Sequence, residues 1–197
     1  VLFKTIGALF LFRITPGVGA GLSWWMIDVL KFDPSFWGTL NQIGAFVPLL
    51  VLWLLSDTIA NKPIRNVLIF LIIAGALISL PEVFLYYGGP IIQLKARIIM
   101  ILDTALESPL VHISMVPLLA LIAYHAPKEL RGTWFAIASS FLNLALSGAA
   151  LLTKYLNMFF VVTRVDYSQL GLLMITSIIV AVLLPAIGVY YLLPKTK

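Results

Sequence analysis

Apolar residues run through this chain in long blocks rather than in stripes. Six such blocks follow one another, at Thr5–Leu30, Phe36–Ile59, Ile64–Tyr87, Ile98–Tyr124, Leu130–Asn157 and Ser168–Leu193. Each exceeds the roughly 20 residues that carry a helix across a bilayer. The polar connections between them are short: Lys31–Ser35, Ala60–Pro63, Gly88–Arg97, His125–Glu129 and Met158–Tyr167. Connections of that length make consecutive spans antiparallel neighbours. The blocks are about twice as long as a barrel strand and do not alternate, which excludes a transmembrane β-barrel. The pattern predicts an all-α integral membrane bundle of six helices, with residues 1–197 forming a single transmembrane domain.

Composition agrees with that reading and narrows it. Of the 197 residues, 61% are hydrophobic and 11% charged, with mean hydropathy +1.06. A soluble domain carries about a quarter charged residues, so that class is excluded, together with disordered chains and nucleic-acid modules. The absence of cysteine excludes a disulfide framework. The first block is too long, and too rich in Gly and Pro, for a signal peptide. A start at Val1, directly before an apolar run, reads as a fragment of a longer protein. The net charge of +5 reflects loop residues that set orientation. Lys4, Lys62, Arg65, Lys128, Arg131, Lys195 and Lys197 fall on one side; Lys31, Lys95, Arg97, Lys154 and Arg164 fall on the other. The excess on the first side places both termini in the cytoplasm. Trp24, Trp25, Trp37, Tyr86, Tyr87, Trp134, Tyr190 and Tyr191 sit near span ends, as an aromatic belt does.

The informative residues are those that lipid penalises. A charge at the centre of a span costs about 2.5–3.5 kcal/mol on insertion scales. Asp103 and Glu107 lie four apart in the fourth span, stacked on one helix face at about 6 Å. Two such carboxylates repel as anions, and a shared proton relieves the repulsion, which makes them candidates for proton coupling. His112 is half a turn round the helix from Asp103 and joins them only if Pro109 bends the span. In the first span, Arg13 precedes Thr15-Pro16-Gly17-Val18-Gly19-Ala20-Gly21, where a missing donor and three glycines break the helix. Broken helices at membrane depth are tolerated only against protein or a watery cavity. Arg13 is therefore a candidate counter-charge for an anionic substrate, the alternative being that it snorkels to the interface. Asn41 and Asn143 are candidate substrate contacts, or interhelical hydrogen-bonding groups like Gln42. Glu82, after Pro81, stands near a span end, where solvation explains it equally well.

Between the second and third spans, Leu55-Ser56-Asp57-Thr58-Ile59-Ala60-Asn61-Lys62-Pro63-Ile64-Arg65 sets an acid at a helix end and bases across a tight turn. It resembles the cytoplasmic loop motif of the major facilitator superfamily, without that motif's leading Gly and the Arg after the acid. On that resemblance Asp57, Lys62 and Arg65 brace a gate; otherwise they form an ordinary charged turn. The stretch from Asp103 through Ile113-Ser114-Met115-Val116-Pro117-Leu118 to Ala126-Pro127-Lys128-Glu129-Leu130-Arg131-Gly132-Thr133-Trp134-Phe135-Ala136 and Asn143 is more specific. With Val165-Asp166-Tyr167-Ser168-Gln169-Leu170, Leu184-Pro185 and Leu193-Pro194, it resembles the folate–biopterin transporter family, a branch of that superfamily. Ala126 stands where the family has Cys, and Arg131-Gly132 departs from its Glu-Ala or Glu-Gly.

The resemblance covers nearly the whole chain and aligns it with the C-terminal six helices of a twelve-helix transporter. It implies half of a major facilitator fold, an N-terminal six-helix partner upstream or in another chain, proton coupling, and an anionic or pterin-like small solute. Asp103 matches the family's intramembrane acid; Glu107 rests on spacing alone. The expectation is a secondary transporter working by alternating access, the rival being a non-transporting assembly subunit or incomplete half-transporter. An enzyme is not expected, since Gly-x-Ser-x-Gly, His-Glu-x-x-His and Cys nucleophiles are all missing. No cofactor is implied, and His112 and His125 are too few and too separated for a metal site.

Overall fold

The computed structural model describes residues 2–60, 62–93 and 95–193, and those residues form helices and turns without a strand. The first predicted span is delivered as two half-helices, α1 (Leu2–Arg13) and α2 (Ala20–Asp28), with residues 14–19 out of helix. Pro16 cannot donate to the preceding turn, and Gly19 ends the break at φ 77°, ψ −152°, a region essentially reserved for glycine. Helix α3 (Pro34–Ala60) follows a turn in which Asp33 accepts from the Phe36 amide at 2.8 Å, with Pro34 as first helical residue. That is the favoured N-terminal arrangement, an acidic cap followed by a proline that has no amide to leave unsatisfied.

The third span is bent. Helix α4 (Ile64–Ile78) stops at Ser79, and α5 (Leu80–Tyr87) continues with Pro81 in its first turn. Without an N–H on Pro81 the helical ladder is interrupted there, and Ser79 bonds back to the Gly75 carbonyl through both its amide and its hydroxyl. A short α6 (Gly89–Gln93) leads into α7 (Ala96–His125), whose 30 residues extend about 45 Å at 1.5 Å per residue and continue through Pro109. A turn at Lys128–Leu130 opens α8 (Arg131–Phe159), and α9 (Leu170–Ile187) ends in a widened π turn at Gly188–Leu192.

Five described stretches are long and apolar enough to cross a bilayer: Pro34–Leu55, Ile64–Tyr87, Ala96–Val116, Lys128–Phe159 and Leu170–Leu192. The architecture is an all-α membrane bundle. Helix α3 packs along α7, while α1 lies against α7, α8, α9 and the π turn. Apolar packing is divided between two ends. One cluster joins Ile6 and Leu9 of α1 to Leu68 and Leu71 of α4, Ile113 and Ile122 of α7, and Ala138 and Leu142 of α8. The other joins Trp25 and Met26 of α2 to Phe36 of α3, Leu85 of α5, Met100 of α7, and Leu173 and Met174 of α9. The break in the first span falls between the two clusters, and polar groups gather at that level.

Candidate functional site

Three side chains from α8 and α9 hold the backbone of the break. The Gly17 amide donates to Thr153 Oγ1 at 3.0 Å, Asn157 Nδ2 donates to the Val18 carbonyl at 2.8 Å, and Ser177 Oγ donates to the Gly17 carbonyl at 3.4 Å. Unwinding a helix in a membrane strands its backbone groups, and these contacts satisfy three of them. No local pattern marks Thr153, Asn157 or Ser177 for this part, which comes from tertiary packing. Gly19 and Gly21 let the break approach α8 and the following loop, since a Cβ at either would meet Thr153, Asn157 or Val162.

The break forms one wall of two adjoining cavities, of about 200 and 350 Å³. Thr15, Ser79, Glu107, Ile178 and Ala181 line both, so Glu107 stands where they meet. Arg13, at the end of α1, and Ser114 open into the first; Glu82 and Ser177 open into the second. Arg13 and Glu107 thus share a cavity, yet among the described residues the sole ion pair is Asp33, before α3, with Arg97, in the first turn of α7, at 2.7 Å. Arg13 Nε is buried without a hydrogen-bond partner among the described residues. A basic and an acidic side chain thus face one space without pairing.

Asp103 is placed differently. It is 4% exposed, and its Oδ1 has no partner among the described residues. It lines an apolar groove between α5 and α7 beside Pro81, Phe84 and Leu106, rather than the cavity that Glu107 enters. Glu82 lies within electrostatic reach of both Asp103 and Glu107, so the stacked pair becomes a cluster of three acids. The signal for Glu82 was its place after Pro81, because the bend at Ser79 turns that residue inward. His112 faces outward and its Nδ1 bonds the Ser108 carbonyl at 2.8 Å, apart from the acids. Asn41 and Asn143 are exposed on α3 and α8 and line neither cavity. At the end of α3, the side chain of Asp57 lies outside the described residues. Lys62 is exposed, and the Arg65 guanidinium stands 5.9 Å from the centroid of the Tyr190 ring.

The other end of the bundle is tied by its loops. Tyr167 donates to Asp28 Oδ2, while Tyr86 donates to the Tyr167 carbonyl at 2.7 Å. Burial and the Asp28 contact push the Tyr167 phenol up to about 12, so it remains a donor at any physiological pH. Asp33 is held down at about 2 by the Ser35 hydroxyl, the Phe36 amide and Arg97.

This geometry can be compared with known proteins. The chain matches the BT1 family over residues 1–197. It belongs to that family. A curated relative, a folate-biopterin transporter from Synechocystis sp., is 23% identical over 186 residues, which is 91% of this chain and 37% of the relative. The chain therefore spans little more than a third of that relative's length. No solved structure matches the chain. With family and apolar helices in agreement, this member of the BT1 family is an integral membrane protein.

Proposed function

We propose that the chain forms one half of a secondary active transporter for a small organic anion, of the folate or pterin class named for its relative, driven by protons. Two six-helix halves of the major facilitator kind alternate access to a shared solute site, with both termini of this segment cytoplasmic. Arg13 provides the counter-charge for the anion. Glu107, supported by Glu82 and Asp103, carries the coupling proton: protonating the acids removes negative charge that repels the solute, and releasing the proton drives the solute out. Asn41 and Asn143 are assigned to the surface meeting the other half, where they contact solute. Asp57 and Lys62 brace the turn at one end, with Arg65 turned toward α9.

The observation that carries this reading is the shared cavity, in which Arg13 and Glu107 face one space beside a helix break without forming an ion pair. Uptake of labelled folate and of a pterin into vesicles containing the chain together with the other six-helix half, under an imposed pH gradient, tests it. Glu107→Gln and Asp103→Asn are expected to abolish pH-driven accumulation while leaving the protein folded in detergent, and Arg13→Gln to raise the KM for the anion. Unchanged pH dependence in both acid variants would sink the coupling assignment; no uptake of either solute by the unaltered protein would refute the solute class.

A further inference from the structure

On the far side of α9 from the polar cavity lies a second space of different character. Ile178, Ala181 and Pro185 face the cavity, whereas Leu183, Ala186 and Ile187 face a groove of about 460 Å³ between α9 and α4. Apart from Arg65, Tyr190 and Tyr191, its walls are aliphatic. Ile73 and Leu183 are 56% and 54% exposed, so the groove opens on the outer surface of the bundle. A soluble solute gains nothing from such walls; a hydrocarbon tail does.

The mouth of the groove has the opposite chemistry. Arg65 stands in the first turn of α4, packed on Tyr190, and forms no ion pair among the described residues. That turn contains no acidic residue and has no side-chain cap. The Asn66 and Val67 amides of that turn donate to the Pro63 carbonyl, so the guanidinium itself, beside the positive end of the helix dipole, supplies the pull on an anion. Tyr190 belongs to the π turn ending α9, where Leu193 bonds back five residues to Gly188 at 3.3 Å. Both helix ends therefore coincide, with an aromatic ring and a cation at the level of lipid headgroups. Basic pockets between membrane helices recognise anionic headgroups through this combination.

We propose that this groove is a binding site for an anionic phospholipid. The phosphate sits on the Arg65 guanidinium, and one acyl chain lies along Ile69, Ile73, Leu183 and Ile187. Arginine suits a phosphate better than lysine does, because its planar fork offers two parallel donors. The groove shares Ile72 and Val182 with the wall of the Arg13 cavity but does not include Arg13 or Glu107.

The test is lipid retention measured by native mass spectrometry on the protein in detergent, with phosphatidylglycerol and phosphatidylcholine supplied in equal amounts. The protein is expected to retain phosphatidylglycerol about fivefold over phosphatidylcholine, and Arg65→Gln to erase that preference. Arg65→Lys is expected to restore part of it. Ile73→Trp and Leu183→Trp face outward and fill the groove without altering charge; both are expected to lower retention of either lipid, and they decide the matter even where Arg65→Gln fails to fold. Equal retention of the two lipids by the unaltered protein, an unaltered preference in Arg65→Gln, or unaltered retention in both tryptophan variants would overturn the proposal. So would displacement of phosphatidylglycerol by millimolar inorganic phosphate, which would mean that the headgroup alone is bound. Loss of lipid selectivity only when a second protein segment is supplied would assign the groove to that segment instead.

Discussion

Thr153→Val is the sharpest probe of how the broken helix is held. The substitution keeps the shape of the side chain and removes the oxygen that accepts the Gly17 amide at 3.0 Å. Thr153 also donates to the Ala149 carbonyl at 2.8 Å, but that carbonyl retains its place in the α8 ladder. The Gly17 amide has no such reserve, since Pro16 and the glycines keep this stretch out of helix. The bond is exposed to the cavity, so the penalty for a buried unmatched donor does not apply, and the scale is that of interhelical hydrogen bonds in membranes, which average about 0.6 kcal/mol with a ceiling near 1.7. A cost of about 0.6 kcal/mol corresponds to roughly a threefold change in the local opening equilibrium. Amide hydrogen exchange on a peptide covering residues 14–19 reads this directly. Thr153→Val is expected to exchange about three times faster there than the unaltered protein, and Thr153→Ser, which keeps the hydroxyl, to stay close to it. Equal exchange in all three proteins would refute the clamp; equal acceleration in both variants would assign the effect to the lost methyl rather than to the hydrogen bond.

Further outcomes follow from other contacts. Gly19→Ala places a side chain at φ 77°, ψ −152° and against Thr153, at about 1–3 kcal/mol; a drop of several degrees in the thermal midpoint in detergent is expected, and no drop would contradict the assigned backbone. Gly171→Ala drives a methyl into Tyr86 and Tyr87, and overpacking of this kind costs about 1–3 kcal/mol. Tyrosine fluorescence should report loss of the Tyr86 tie to the last loop, and an unchanged spectrum would count against it. Asp33 has a depressed carboxyl, from 3.8 to about 2, so its stabilising effect is present above pH 4 and is lost as pH falls through about 2. The stability difference between the protein and Asp33→Asn should therefore close between pH 4 and pH 2 in acid titrations; a difference that persists at pH 2 would show another cause.

How far the chain discloses its own structure depends on how local each feature is. The break after Arg13 was readable because Pro16, Gly17, Gly19 and Gly21 act through the backbone itself. Asp33-Pro34 was equally local. The relation of Asp103 to Glu107 was only half readable. Four residues along a helix leave about 40° between two side chains, enough for them to open on different sides of a ridge when α5 packs between. Glu82 required the bend at Ser79, and the consequence of that bend depends on α7 lying opposite. Asn41 is marked in the sequence by polarity and Asn143 by polarity and resemblance, neither of which reports the helix rotation that leaves both exposed. Thr153, Asn157 and Ser177 looked like ordinary members of apolar spans, because the groups they satisfy lie more than 130 positions away in sequence.

The division of apolar packing into two clusters bears on how the bundle comes apart. A continuous core melts as one unit, whereas clusters separated by a polar level have few apolar contacts through which to share free energy. Chemical denaturation followed by a probe near Trp25 and another near Trp134 would then trace different midpoints, and no single unfolding free energy would describe the molecule. The layer of Arg13, Glu82 and Glu107 is in this sense a seam in cooperativity, where one end of the bundle can loosen while the other stays packed.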